Sequence, residues 1–184
     1  MRLPKLEFVL PAERFHRSFL AGYEELHERH KNDWIYLGPD GTEDLIYNRF
    51  PEYVAELRRR EREAPGHFVR GITYWAVRGD EVLGRIGLRL ELNDFLSRIG
   101  GHIGYIVRPS ARGQGVASAM LKFVLSTPAA HGIGRLLLTC DEDNTASERV
   151  ILRNGGEYES TVSPSGRPVG KKRYWIDVAG SKLS

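Results

Sequence analysis

The stretch GGHIGYIVRPSARGQGVASAMLKFVL, residues 100–125, decides the fold of this 184-residue chain. Its first part, His102 to Val107, is a short apolar run that predicts a strand. Two glycines, Gly113 and Gly115, then lie in an arginine-flanked loop, and the apolar residues after them recur at helical spacing to about Pro128. Glycine lets backbone amides approach a ligand closely, and a helix N-terminus attracts anions. The stretch therefore predicts a loop that binds phosphate.

A strand that is buried on both faces is predicted directly after this helix, at residues 136–140. Strand, helix and apolar strand in this order form one βαβ unit, in which the two strands are parallel. Asn144 begins a further helix, which stops at Asn154-Gly155-Gly156, a sequence typical of a left-handed C-terminal cap. Other segments with strand patterns are residues 68–78 and 82–90, joined by a hairpin turn at 78–80, and residues 157–162 and 169–178. The predicted class is α/β with one mixed sheet.

The N-terminal third of the chain has helical patterns and no catalytic motif. A first helix, about residues 11–30, is predicted by helical spacing of Phe15, Phe19, Tyr23 and Leu26, and a second by that of Phe50, Val54 and Leu57. Between them, LGPDGTED at residues 37–44 is typical of a turn. We expect a single domain over residues 1–184, with a helical arm at about 11–66 and a core at about 68–178.

Composition excludes several classes of protein. Hydrophobic residues make up 41% of the chain and charged residues 28%, so neither a disordered nor a fibrous protein is expected. The longest apolar runs are strand-sized, which argues against a membrane helix, and a secretion signal is not expected. The net charge is only +3, and a glutamate interrupts the basic run at residues 58–62, so no nucleic-acid partner is expected. The single cysteine, Cys140, fits a reducing cytoplasm, and the scattered histidines have no metal-binding spacing.

Three classes of phosphate-bearing ligand need such a glycine loop. A nucleoside triphosphate requires Gly-Lys-Ser/Thr at the helix start, where this chain has Gly115-Val116-Ala117, so a Walker loop is excluded. A dinucleotide fits better, because residues 113–118 are close to GxGxxG/A and Asp141 ends the next strand. However, five residues separate Val107 from Gly113, and one βαβ unit is too few for a doubly wound sheet. The third class is the pyrophosphate of coenzyme A, and a plain glycine turn is the non-functional alternative.

The order of residues in the loop is similar to that of a known family. The series Val107-x-Pro109-x-x-Arg112-Gly113-x-Gly115-x-Ala117 resembles motif A of the GNAT N-acetyltransferase superfamily, (Q/R)xxGx(G/A). Asn144-Thr145-Ala146-Ser147 resembles the N-x-x-A/S helix start of that family, and family-like elements run from residue 1 to about 178. The pattern GGHIGYIVRPS…DEDNTAS…NGG resembles a little-characterised bacterial branch of predicted acetyltransferases. The resemblance implies an α/β, single-domain, GNAT-like acyl-CoA N-acyltransferase fold. Its sheet would be mixed and mostly antiparallel, with splayed central parallel strands, and flanked by helices.

The resemblance also implies a cofactor and its contacts. Acetyl-CoA is expected as co-substrate, without a metal, with its pantetheine arm in the gap between the splayed strands. The residues expected to contact it are Ile106, Val107, Arg112, Gly113, Gln114, Gly115, Val116, Ala117, Asn144 and Ser147. A backbone amide of Ile106 or Val107 would donate to the oxyanion, and Arg112 would help to neutralise the pyrophosphate. Arg108 would reach the 3′-phosphate, and Asn144 has the alternative role of a helix N-cap.

Acetyl transfer to an amine needs a base, because an amine of the lysine type has a pKa of about 10.4. The two candidates are His102, at the start of the motif A strand, and Glu91, at the end of the preceding strand. For both His102 and Glu91, the alternative is a purely structural role at the end of a strand. Many family members have a tyrosine seven residues after the motif asparagine, which acts as the acid that protonates the leaving thiolate. This chain has Ile151 at that position. A covalent route through Cys140 lacks an evident histidine partner.

The predicted function is an N-acetyltransferase that moves an acetyl group from acetyl-CoA to a primary amine of a small molecule or peptide. The predicted mechanism is direct attack in a ternary complex. A non-catalytic acyl-CoA-binding regulatory or interaction module is the alternative, which Ile151 keeps open. The expected partners are the amine acceptor and, in a homodimer, a second copy of the chain. No membrane partner is expected, and the expected location is cytoplasmic.

Overall fold

A seven-stranded mixed sheet forms the centre of the molecule. The computed structural model describes residues 5–27, 41–64, 66, 68–163 and 169–178. The strands lie in the order β1-β2-β3-β4-β5-β7-β6, with bounds Leu6–Val9 (β1), Gly71–Arg78 (β2), Glu81–Arg89 (β3), Ile103–Val107 (β4), Arg135–Asp141 (β5), Glu157–Val162 (β6) and Lys171–Asp177 (β7). Neighbouring strands are antiparallel except β4 and β5, which are parallel because a helix returns the chain to the same edge.

Helices cover both faces of this sheet. The α-helices of the described residues are His16–His27 (α1), Glu43–Asn48 (α2), Phe50–Arg59 (α3), Val116–Leu125 (α4), Pro128–Ile133 (α5) and Thr145–Arg153 (α6). Short 3-10 turns lie at Glu13–Phe15 and Pro109–Ala111, and a π-helical turn lies at Leu96–Gly100. Helices α1, α2 and α3 pack on one face, and α4, α5 and α6 pack on the other.

The first face is held by aromatic packing. The apolar residues that predict the helical arm, Phe15, Phe19, Tyr23 and Leu26, are all buried. Phe19 packs on the fully buried Trp75 of β2, with ring centroids 5.0 Å apart, and α3 adds Phe50 and Tyr53 to the same cluster. Burial of such side chains contributes roughly 1.5–3 kcal/mol each, so these contacts hold α1 and α3 against the sheet.

The second face holds the core around α4. Met120, Leu121 and Val124 are fully buried and pack with Leu136 and Leu138 of β5. This contact fixes the N-terminus of α4, and thus the glycine loop before it, at the end of β4.

The two parallel strands separate along their length. β4 and β5 share a single registered pair, Ile103 and Leu138, whereas β5 pairs with β7 from Arg135 through Asp141. Beyond Ile103 a gap therefore opens between the strands and widens toward the glycine loop. We call the closed end of this gap the vertex.

Two residues before β4 close the vertex. His102 and Leu137 exchange hydrogen bonds: the His102 amide donates to the Leu137 carbonyl at 2.7 Å, and the Leu137 amide donates to His102 Nδ1 at 2.8 Å. Gly101 packs flat on β5, because a Cβ there would lie 2.5 Å from the Leu137 carbonyl oxygen. Its φ of 66° and ψ of −178° belong to a region that only glycine occupies readily.

The predicted fold class is confirmed, including the mixed, mostly antiparallel sheet and its splayed parallel pair. Elements without a sequence prediction are β1, α2, α5 and the π-helical turn. Of the predicted turn at 37–44, residues 41 and 42 precede α2 and residues 43 and 44 begin it, because Thr42 accepts a hydrogen bond from the Leu45 amide as an N-cap. Residues 37–40 of that turn, and the last three residues of the predicted first helix, lie outside the described residues.

Candidate active site

The glycine loop has the backbone shape that an anion site requires. Gly113 and Gly115 have φ values of 76° and 78°, in the left-handed region that favours glycine. A Cβ at either position would meet no atom of the described residues within 4 Å, so those residues leave the space in front of the loop open. Gly115 is the N-cap of α4 and provides no side-chain cap, which leaves the first amides of the helix without an intrahelical acceptor. The loop can therefore hold a phosphate at the positive end of the α4 dipole.

Side chains of the loop hold its own backbone in place. Arg112 Nε donates to the Val107 carbonyl at 3.2 Å, and Gln114 Nε2 donates to the Ser110 carbonyl at 3.0 Å. Arg78 Nη1 reaches Gln114 Oε1 at 3.3 Å. The guanidinium of Arg112 thus lies at the loop with an exposed end, where it can also contact an anion.

A carboxylate from α1 clamps the segment between β4 and the loop. Glu25 accepts hydrogen bonds from Arg108 Nε at 2.7 Å, from Ser110 Oγ at 3.0 Å, and from the Ser110 amide. Arg108 also contacts Glu81 at 3.1 Å. Arg108 is therefore committed to two carboxylates, and the expectation that it reaches the 3′-phosphate of the cofactor is revised. Sequence patterns do not identify Glu25, because 83 residues separate it from Arg108.

The clamp predicts a pH-dependent contribution to stability. Burial acts to raise the pKa of Glu25, but the hydrogen bonds from Arg108 and Ser110 outweigh it and hold the pKa below the ordinary 4.5. We expect Glu25→Gln to lower the free energy of unfolding by about 1.5–3 kcal/mol at pH 7, as hydrogen bonds to charged groups do. Since the folded pKa is lowered, this contribution is present above the unfolded pKa and is lost as pH falls through the folded value. Denaturant unfolding at pH 7 and at pH 3.5 measures it.

The neighbouring Glu24 provides the matched control for this prediction. Glu24 is exposed and accepts one hydrogen bond, from the Tyr47 hydroxyl at 3.2 Å. We expect Glu24→Gln to change the free energy of unfolding by no more than about 0.5 kcal/mol, the usual range for surface sites. Equal losses in the two variants would contradict the role of Glu25 as a clamp.

The backbone of β4 presents alternate residues to the gap. The His102 carbonyl accepts from the Arg89 amide, and the Arg108 amide donates to the Leu83 carbonyl. In an antiparallel ladder with this register, Ile106 turns its N–H and C=O toward β3, and Tyr105 and Val107 turn theirs toward the gap. The geometry thus favours Val107 as a backbone contact for a ligand in the gap. It does not favour the predicted backbone contact at Ile106, and favours one at Tyr105 instead.

Tyr105 spans the gap on the α4/α6 side. Its hydroxyl donates to the Ser147 carbonyl in the first turn of α6, at 3.4 Å. Burial raises the pKa of this phenol, so it is protonated at neutral pH. The first turn of α6 at Ser147 thus lies at the gap, whereas Asn144 acts as the N-cap of α6: its Oδ1 accepts from the Ser147 amide at 3.0 Å. Ile151 is buried in the core beneath Gly156.

The two candidate bases do not lie together. His102 is buried, and its Nδ1 already accepts the Leu137 amide, so the neutral ring carries its proton on Nε2. Burial and then the charge of Arg89 lower its pKa. Glu91 is exposed, 3.5 Å from Arg70 Nε. This geometry favours the structural alternative for His102 and gives Glu91 a surface ion pair.

Three further observations concern the described residues: the Cys140 thiol, possible metal ligands and possible membrane helices. Burial, followed by the charge of Glu148, raises the pKa of the Cys140 thiol to about 11, so a thiolate nucleophile is disfavoured at neutral pH. Within the described ranges, no group of three or more His, Cys, Asp or Glu side chains is placed to hold a metal ion. No helix in that part of the chain is long and apolar enough to cross a membrane.

Comparison with known proteins gives the family of this chain. The family model described as the acetyltransferase (GNAT) domain matches residues 19–157. Among solved structures, an N-acetyltransferase from Staphylococcus aureus Mu50 is 16% identical with a TM-score of 0.64, covering 95% of this chain and 99% of its own. RimJ from Mycobacterium smegmatis, in complex with a CoA-disulfide, is 18% identical with a TM-score of 0.68, covering 96% and 84%. The microcin C7 self-immunity acetyltransferase MccE, in complex with acetyl-CoA and AMP, is 13% identical with a TM-score of 0.66, covering 94% and 92%.

Proposed function

Because this chain belongs to the GNAT acetyltransferase family and is thus an acetyl-CoA-dependent acetyltransferase, we propose that it acetylates a primary amine of a small molecule or peptide. The reaction proceeds by direct attack of the amine in a ternary complex. The observation that carries the proposal is the gap between β4 and β5, which runs from the glycine loop to the vertex. A cofactor held by its phosphates at one end of the gap presents its acyl group at the other.

The residues proposed to hold the cofactor divide into two groups. The pyrophosphate lies on the amides of the glycine loop, and its contacts are Arg112, Gly113, Gln114, Gly115, Val116 and Ala117. The pantetheine arm lies along the gap-facing backbone of Tyr105 and Val107, with Ser147 opposite. An amide from this part of β4 is the proposed donor to the oxyanion.

The chemistry requires the amine to lose one proton and the leaving thiolate to gain one. The amine nitrogen attacks the thioester carbonyl, a C–N bond forms, and the C–S bond breaks. Ile151 has no hydroxyl, so the tyrosine-assisted protonation of many family members is not available from that position.

The general-base roles of His102 and Glu91 stay predictions, and one comparison tests both. If either side chain is the base, replacement by Ala or Gln lowers turnover at pH 7 by roughly 10²–10⁴-fold and leaves cofactor affinity unchanged. If His102 is structural, as its contact with Leu137 favours, His102→Ala lowers the free energy of unfolding and turnover changes little. Steady-state rates over pH 6–10, with unfolding curves for each variant, distinguish these outcomes.

A screen of amines tests the proposed function. Purified protein is incubated with acetyl-CoA and sets of small amines, amino acids and peptide N-termini, with thiol release as the readout. Acceptor-dependent release supports the proposal. Tight cofactor binding with no release for any acceptor would indicate the non-catalytic module. A cytoplasmic location and a homodimer also stay predictions.

A further inference from the structure

A polar surface lies on the α1/α3 face of the sheet, close to the vertex. The register aligns Thr73 of β2, Gly87 of β3 and Gly104 of β4, and β3 adds Arg85 and Arg89 on the same face. Paired residues of antiparallel strands point to the same side, so these five positions line one side of the sheet, with Thr73 and Arg85 buried and Gly104 exposed. We call this set of five residues the arginine cleft.

The floor of the arginine cleft is open. Gly104 is exposed, and of the atoms that the structure describes a Cβ there would meet only the guanidinium of Arg89, with Nη2 at 3.5 Å and Nη1 at 3.8 Å. Gly104 directly follows Ile103, the residue of β4 that pairs with β5 at the vertex. The cleft therefore lies where the acyl end of a cofactor in the gap is expected.

Positive charge is concentrated in this cleft. Arg89 Nη1 donates to the carbonyls of Gly100 and Gly101, at 3.1 and 2.9 Å, and among the described residues Arg89 has no carboxylate partner. Burial, and then the charges of Arg85 and Arg60, lower the pKa of Arg89 to about 10, so it is still charged at neutral pH. A buried charge is costly without a counter-charge. Arg89 Nη2 faces Gly104 and can donate a hydrogen bond to an anionic group of a ligand.

The phosphates of the cofactor do not account for this charge. Gly104 lies three residues before Val107, a distance of about 10 Å along an extended strand, and the glycine loop lies beyond Val107. The pyrophosphate is bound in that loop at the opposite end of the gap. The anion that fits the arginine cleft thus belongs to another molecule, next to the transferred acyl group.

We propose that the arginine cleft binds an anionic group, a carboxylate or a phosphate, carried by the acceptor amine. The acceptor is thereby an amine with a negative group a few bonds from its nitrogen, and a polyamine or other purely cationic acceptor is disfavoured. This inference rests on the proposed function for the identity of the reaction. The AMP bound to the structurally similar MccE is an anionic ligand of that protein.

Binding is measured first, so that the result does not depend on turnover. Protein saturated with coenzyme A is titrated by calorimetry with two matched pairs of amines: phosphoethanolamine with ethanolamine, and β-alanine with β-alaninamide. We expect at least one amine with an anionic group to bind about 10- to 100-fold more tightly than its partner without that group, as one charge-assisted hydrogen bond supplies. The two pairs distinguish a phosphate site from a carboxylate site.

Substitutions then test whether Arg89 causes the preference for amines that carry an anionic group. Arg89→Gln is expected to remove the preference and leave the affinity of the amines without an anionic group, and of coenzyme A, unchanged. Gly104→Asp places a carboxylate beside Arg89 without removing the bonds of Arg89 to Gly100 and Gly101, and is expected to have the same effect if Arg89→Gln folds poorly. Arg98→Gln, on the exposed π-helical turn, is the control and keeps the preference.

Each outcome is decisive. Equal binding of both members in both pairs, or a preference that survives Arg89→Gln and Gly104→Asp, overturns the inference. Preferential binding of an anionic amine without thiol release in the presence of acetyl-CoA supports the cleft and contradicts the proposed function. Preferential binding with faster release from the anionic member supports both.

Discussion

Gly115→Asp is expected to weaken coenzyme A binding at least 100-fold, as measured by calorimetry. Gly115 has a φ of 78°, where a residue with a side chain costs roughly 1–2 kcal/mol. The new carboxylate would also lie in the open space before the first turn of α4. Two like charges 4 Å apart repel by about 4 kcal/mol at an effective dielectric constant of 20. Together these effects exceed the roughly 5- to 30-fold loss that 1–2 kcal/mol of backbone strain alone would give, since about 1.4 kcal/mol is tenfold.

Two further variants separate charge from strain. Gly115→Asn keeps the shape of the side chain without its charge, so its loss of affinity is expected to be smaller. Gly155→Asp introduces the same residue at a φ of 87° in open space after α6, and is expected to lower stability without changing affinity. Unchanged affinity in Gly115→Asp would show that the pyrophosphate binds elsewhere.

Gly101→Ala is expected to lower the free energy of unfolding by about 3 kcal/mol or more, because a Gly-only backbone conformation alone costs about 1–3 kcal/mol. The added Cβ would lie 2.5 Å from the Leu137 carbonyl oxygen and 3.3 Å from the Leu138 Cα, so β4 and β5 would have to move apart at the vertex. Backbone atoms cannot yield as a flexible side chain does. Denaturant unfolding measures the loss, and coenzyme A affinity is expected to fall with it.

The matched control is Gly104→Ala, three residues along the same segment. Gly104 has no left-handed φ, and within the described part of the chain a Cβ there would contact the Arg89 guanidinium alone. We expect a change within about 0.5 kcal/mol, as for other surface substitutions. A loss in Gly104→Ala as large as that in Gly101→Ala would show that the vertex is not the rigid part of β4.

The predictions from sequence succeed where the cause is local. The loop at residues 112–117, the helix after it and the cap at Gly155 follow from glycine conformation and helical periodicity, and each is present. The predicted contacts fail where they depend on partners distant in sequence. Arg108 carries no sign in its own segment that Glu25 will bind it, and the backbone direction of Ile106 depends on its register with β3.

The sequence alone determines that this chain has a glycine loop before a helix within a βαβ unit, because residues a few positions apart set the backbone angles there. The tertiary structure decides what surrounds the acyl end of the gap. His102 and Gly101 close the vertex against β5, and Arg89 lies over Gly104, since sheet register brings these groups together from separate strands. Side-chain contacts across strands arise only once the sheet forms, so the proposed acceptor site depends on the tertiary fold.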